Sequence, residues 1–190
     1  TSSCTGAMHI ALLSLGIRKG DEVILPDQTW VATAKAIQYV GALPVFADVL
    51  DSNWTIDPHS IQNLISPKTK AIMPVHMYGQ VANMEAIMNI ADQFSLKVIE
   101  DAAPAIGAEW NHNKCGSYGH FGAFSFQGAK LLVTGEGGML VTDDTNLYQI
   151  AAKVADHGRN PNKTFWIDSP GLKYKMSNLQ AAFGLAQLEQ

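Results

Sequence analysis

A few stretches of the sequence carry side chains suited to chemistry. Lys130 lies in FSFQGAKLLVTGEGG, among Phe124, Phe126, Leu131, Leu132 and Val133, with Gly135, Gly137 and Gly138 just downstream. A lone lysine is ordinarily a solvated surface charge. Apolar neighbours would instead strip its hydration and make the amine a nucleophile toward an aldehyde, and the glycines would let backbone approach a ligand closely. Both readings fit the residues alone. Glu100 and Asp101 end the apolar run KVIED, and strand alternation points them to opposite faces. Asp101 could cap a helix or end a solvated loop. Buried, it could instead face a heteroaromatic ring nitrogen and keep it protonated, which turns the ring into an electron sink.

The opening TSSCTGAMHIALLSLG puts Ser2, Ser3, Thr5 and Gly6 at the start of a helix. One hydroxyl suffices for a cap. A cluster of them beside free N–H groups also suits a phosphate at the positive end of the helix dipole. Trp30, in PDQTW, is either a core or interface aromatic or a plate against a flat ligand. His76, in PVHMYGQ, is either a satisfied structural histidine or a residue lining a substrate.

The elements that must position these residues alternate in type. Strands are predicted at Glu22–Leu25, Leu43–Ala47, Ala71–Val75 and Lys97–Glu100, and helices at Thr29–Val40, Pro58–Ile65 and Asn83–Phe94. This order predicts βαβ units and a mostly parallel sheet. Shorter strands follow near Gly107–Trp110, Gly122–Phe126 and Gly138–Thr142, then a helix at Leu147–Ala155. The turn-rich segment 156–170 reads as a loop before a final helix. Ligands of open α/β sheets sit beyond the carboxyl ends of the strands. That rule selects Pro26–Trp30, Pro74–Gly79, Asp101–Pro104 and Ser125–Lys130 as walls of a site.

Composition narrows the class. The 190 residues are 47% hydrophobic and 16% charged, with a formal net charge of −4, which fits an ordered globular core and gives nucleic acid no electrostatic footing. Apolar runs are too short to span a bilayer, so no membrane partner is expected. Cys4 and Cys115 fit neither a zinc motif nor a disulfide framework, which predicts a reducing, cytoplasmic setting. There is no GxGxxG after a first strand, which counts against a dinucleotide-binding enzyme. The first residues run straight into a helix and the last stop inside one, which predicts a piece of a larger protein.

Six segments taken in order, TSSCTGAMHIAL, GIRKGDEVILP, AIMPVHMYGQ, VIEDAAPAIGA, FSFQGAKLLVTGEGGMLVTDD and MSNLQAAFGLAQLE, closely resemble the DegT/DnrJ/EryC1/StrS family of sugar aminotransferases. The resemblance runs from residue 1 to 190. It implies the fold type I (aspartate aminotransferase-like) architecture, with a mixed, mostly parallel sheet in an α/β/α sandwich. Residues 1–190 would form most of the large domain that binds pyridoxal phosphate (PLP), without its N-terminal segment and the C-terminal small domain. It further implies a homodimer with shared active sites, L-glutamate as amino donor and a nucleotide-linked 4-keto-6-deoxy sugar as acceptor. A keto-inositol acceptor is the alternative, and a non-catalytic regulator retaining the fold is a third.

Carried over by position, Lys130 is the Schiff-base lysine, Asp101 the partner of the pyridine nitrogen, and Trp30 the aromatic stacked on the ring. Cys4, Thr5 and Ser125 fall on the phosphate contacts, and Lys173 on a residue that reaches the phosphate of the neighbouring subunit. His76 is expected to line the substrate. Three positions depart from the family pattern. Cys4 replaces a common Gly, Pro104 stands where many relatives carry Gln, Glu or His, and Lys173 stands where many carry Asn. A lysine at 130, where the dehydratases among these relatives carry His, favours transamination.

Overall fold

The computed structural model describes residues 1–189. In chain order the elements are α1 (Cys4–Ser14), β1 (Glu22–Pro26), α2 (Val31–Tyr39), β2 (Leu43–Ala47), α3 (Pro58–Leu64) and β3 (Thr69–Ile72). There follow α4 (Met84–Phe94), β4 (Lys97–Asp101), β5 (Glu109–Trp110), β6 (Asn113–Lys114), β7 (Phe121–Ser125), β8 (Gly138–Val141), α5 (Thr145–Ala155) and α6 (Asn178–Leu188). Six strands form one sheet in the order β2-β1-β3-β4-β7-β8. All neighbours are parallel except β7 and β8, which are antiparallel. The mixed, mostly parallel sheet expected from the sequence is the observed one.

Strand alternation divides the core into two layers. Val23, Leu25, Ala71, Ile99, Phe121 and Ala123 pack with α1, α2 and Ala151 of α5 on one face. Ile24, Ile72 and Val98 pack with Ile61 of α3 and Met84, Ile87 and Ile90 of α4 on the other. The result is helix on both faces of a sheet. No helix among the described residues is long and apolar enough to cross a membrane.

Boundaries shift where backbone donors run out. The third strand ends at Ile72 rather than Val75 because Pro74 has no N–H to continue the ladder. The chain rejoins β4 only at an isolated bridge between Val75 and Asp101. The expected strand at Gly107–Trp110 shrinks to the two-residue β5, paired with β6 across a turn in which Asn111 and His112 both have positive φ.

Two contacts place the strand ends. The first is a Glu100 staple. The fully buried Glu100 carboxylate accepts from Gly116 N, Tyr118 N and Gly119 N, each at 2.7 Å, and from His76 Nε2 at 2.9 Å. His76 Nδ1 accepts from Ala82 N at 3.2 Å, so the ring proton resides on Nε2 and is donated to Glu100. This corrects the expectation that His76 lines a substrate. The side chain is 0% exposed and both ring nitrogens are occupied, which leaves it no free surface or donor for a ligand. His76 is a fastener between the segment after β3 and β4.

The second contact is glycine-dependent. A Cβ on Gly138 would stand 2.5 Å from both Cys4 N and Ser3 C, backbone atoms that cannot swing away. The bare Gly138 lets the start of α1 lie against β8, where Thr1 and Gly138 exchange both backbone hydrogen bonds.

Two stability outcomes follow. Glu100→Ala strips the acceptor from three backbone N–H groups and an imidazole, and urea unfolding of the full-length protein should show a loss of about 3 kcal/mol or more. Gly138→Ala should cost about 1–3 kcal/mol by overpacking. Gly128→Ala, whose Cβ would meet nothing nearer than 3.9 Å, should stay within about 0.5 kcal/mol.

Candidate active site

Asp101 closes β4, and parallel pairing with β7 aligns it with Ala123. Its side chain is 4% exposed and is met by donors from three places. Thr33 Oγ1 of α2 donates to Oδ2 at 2.8 Å, and Ala103 N donates to Oδ1 at 3.2 Å. The thiol of Cys4, in α1, lies 3.9 Å from Oδ1. Burial pushes the Asp101 carboxyl above the usual carboxylate range, and the Thr33 and Ala103 hydrogen bonds and the Lys130 charge oppose that rise. Burial, reinforced by the nearby Asp101 charge, drives the Cys4 thiol well up, so Cys4 stays protonated and can donate.

Lys130 is half-buried in the loop between β7 and β8, and its charge acts on both Asp101 and Cys4. No carboxylate among the described residues pairs with its amine. The loop that carries it is a closed structure. Phe126 N donates to Gly137 O at 2.9 Å, Thr134 N to Phe126 O at 2.8 Å, and Lys130 N to Gln127 O at 2.9 Å. Helix α6 grips the loop's outer side. Gln187 receives Val133 N at 3.0 Å and donates back to Val133 O, while Gln180 Nε2 donates to Glu136 O at 2.7 Å. The two glutamines went unnoticed in the sequence, since a polar residue on a helix face reads as solvated; the capping box of Ser177 and Gln180 is the one local signal there.

The start of α1 supplies the third wall. Ser3 caps the helix by accepting from Gly6 N at 3.0 Å, and the N–H groups of Cys4 and Thr5 have no acceptor among the described residues. Ser125 ends β7, pairs with Gly138 and is buried, so its hydroxyl stands beside the strand position on which α1 rests. The free N–H groups, the Thr5 hydroxyl and Ser125 together form a donor cluster suited to an anion.

Trp30 is the N-cap residue of α2 and is 78% exposed, so most of its surface is left uncovered by the described residues. It stands one helical turn before Thr33, whose N–H and hydroxyl both approach Trp30 O at 3.3 Å. Lys173 does not join the cluster. It is exposed and bridged through its backbone to Asp156. Thr33 went unremarked in the sequence, because a threonine in the first turn of a helix has many mundane roles.

The arrangement sets an amine, a buried carboxylate, a helix start with free N–H groups and an exposed aromatic residue at one edge of the sheet. Such a set can hold a phosphorylated heteroaromatic aldehyde and exchange an amine on it.

Comparisons with known proteins agree in kind. The chain is 46% identical over 186 residues to the GDP-perosamine synthase of Caulobacter vibrioides, covering 98% of this chain and 50% of that protein. It is 41% identical to a putative L-glutamine:3-amino-2,3-dideoxy-scyllo-inosose aminotransferase of Streptomyces kanamyceticus, across 100% of this chain and 46% of that one. Among solved structures, ntda of Bacillus subtilis with bound cofactor PMP superposes with a TM-score of 0.93 at 38% identity, over 100% of this chain and 43% of that one. The chain thus spans about half the length of the curated relatives it matches. The model of the DegT/DnrJ/EryC1/StrS aminotransferase family matches residues 1–190, and the chain belongs to that family.

Proposed function

We propose that this chain is the cofactor-holding large domain of a PLP-dependent sugar aminotransferase resembling GDP-perosamine synthase. The full protein would move the amino group of L-glutamate to a nucleotide-linked 4-keto-6-deoxy sugar for a surface polysaccharide or other glycan. It would work in the cytoplasm as a homodimer whose active sites draw on both subunits, with Lys173 reaching the neighbouring subunit's phosphate. The observation that carries the reading is the buried Asp101 carboxylate, held by Thr33 and Ala103, at the same sheet edge as a helix start with two free N–H groups.

The residues present fit the cofactor. The unpaired N–H groups of Cys4 and Thr5, with the Thr5 and Ser125 hydroxyls, suit a phosphate dianion. The Asp101 carboxylate, carried in a buried wall, suits a protonated ring nitrogen. The open face of Trp30 suits the ring itself. When bound, the cofactor supplies an aldehyde for amine exchange and a ring that withdraws electrons from the carbon losing its proton. Lys130 Nζ would take the proton from the donor's α-carbon and return one to the acceptor's carbon. Asp101 would hold the ring nitrogen's proton in place through both half-reactions. Pro104, a residue without a side-chain donor, supplies no hydrogen bond to the ring hydroxyl.

One relative's name favours a second reading, in which the acceptor is a keto-cyclitol. A nucleotide-linked sugar should raise the melting temperature of the full-length protein and a free cyclitol should not; the reverse pattern selects the cyclitol.

Two further outcomes test the chemistry. Borohydride treatment of the holoenzyme should fix the cofactor's mass on the Lys130 peptide, and Lys130→Ala should lose that adduct and about 10³-fold of the glutamate half-reaction. An adduct on another lysine would remove Lys130 from its role. Asp101→Asn should lower turnover about 10²-fold or more, yet stabilise the cofactor-free protein at neutral pH. The sign follows from linkage. A carboxyl with a raised folded-state pKa binds more protons folded than unfolded, so the stability it contributes in acid is lost as pH rises above the unfolded value of 3.8. Asn removes that slope, and chemical denaturation of the cofactor-free forms across pH measures it.

A further inference from the structure

Buried Asp101 needs a partner on each oxygen, and the two oxygens are served unequally. Oδ1 has the Ala103 N–H and the Cys4 thiol. Oδ2 has the Thr33 hydroxyl at 2.8 Å and no other hydrogen bond among the described residues. Thr33 is itself 0% exposed, so no water competes for its proton.

A helical threonine commonly donates to the carbonyl three or four residues back, and Trp30 O stands at 3.3 Å in that position. A hydroxyl has one proton. The carboxylate at 2.8 Å is the nearer and the charged acceptor, so it takes the proton. Thr29 Oγ1 lies 3.0 Å from Thr33 Oγ1 and donates to it, which fixes the relay from Thr29 through Thr33 to Asp101.

We propose that Thr33 is the positioning residue that aims Asp101 at the ring nitrogen of the bound cofactor and keeps its carboxylate ionised, with Thr29 orienting the Thr33 proton. The proposal rests on the cofactor reading above. The other groups facing Asp101 do not substitute for Thr33. Lys130 acts from the loop after β7 as a charge without a hydrogen bond to Asp101. Cys4 and Ala103 bond the opposite oxygen. His76, from the segment after β3, gives its proton to Glu100. Thr33 also shares the first turn of α2 with Trp30, so one helix start sets both the carboxylate and the aromatic plate.

The test uses the full-length holoenzyme with Thr33→Val, Thr33→Ser and Thr33→Ala, each also placed in an Asp101→Asn background. A hydroxyl donating to a carboxylate favours its ionised form, so losing it lets Asp101 stay protonated to higher pH. Thr33→Val should move the acid limb of the kcat/KM profile up by about one pH unit and weaken PLP binding about tenfold. Thr33→Ser should restore both. In the Asp101→Asn background, Thr33→Val should add nothing to the PLP dissociation constant. If Thr33→Val fails to fold, Thr33→Ala carries the same expectations. An unmoved acid limb without the hydroxyl, or an equal loss of PLP affinity with and without Asp101, overturns the role of Thr33. Failure of the wild-type protein to bind PLP at all would instead overturn the cofactor reading.

Discussion

A carboxylate taken out of water must be met by donors or it takes up a proton. Asp101 is that carboxylate here, and the site is assembled around meeting it. α1 contributes the Cys4 thiol, α2 the Thr33 hydroxyl, the turn after β4 the Ala103 N–H, and the loop after β7 the Lys130 charge. These four pieces lie far apart in sequence. Each is held at the carboxyl edge of the sheet, so the carboxylate sits where four separate parts of the chain meet.

The donors can gather because backbone approaches backbone where glycine permits it. Gly138 brings α1 against β8, and Gly137 makes room for Thr134 and Met176 beside the Lys130 loop. A methyl at either place would stand 2.5 Å or less from its neighbours. Helix α6 then holds the outer side of that loop through Gln180 and Gln187. A lysine on a surface loop would sample many positions. Here the loop's own closure and the α6 contacts hold the backbone on either side of Lys130.

The parts of this arrangement legible in the sequence were those with a local cause. Apolar runs bounded by Pro, Gly and Asp marked β1, β2 and β4, and the opposite facing of Glu100 and Asp101 followed from alternation alone. The end of β3 was misplaced because the apolar pattern continues through Val75 while the hydrogen-bond ladder stops at Pro74. His76 was misjudged for a related reason. Its neighbours place it at a strand end where ligands bind, but its rotamer and tautomer are decided by Glu100 and by Ala82 N, which no local pattern reveals. Thr33 and the α6 glutamines were invisible for the same cause, since each acts on a partner more than forty residues away.

Adjacent Glu100 and Asp101 then show how strand alternation gives two neighbouring carboxylates different surroundings. Glu100 faces a loop that offers three N–H groups and an imidazole, so its acceptor capacity is filled and it fastens β4 in place. Asp101 instead faces the starts of α1 and α2 and meets the Cys4 thiol, the Thr33 hydroxyl and the Ala103 N–H. α1, α3, α4, α5 and α6 each begin with a side chain that caps them. α2 alone begins at Trp30, without a side-chain cap. The side-chain cap is missing at the helix that carries both Trp30 and Thr33. A capping residue at position 30 would strengthen α2 and remove an exposed aromatic face one turn before Thr33.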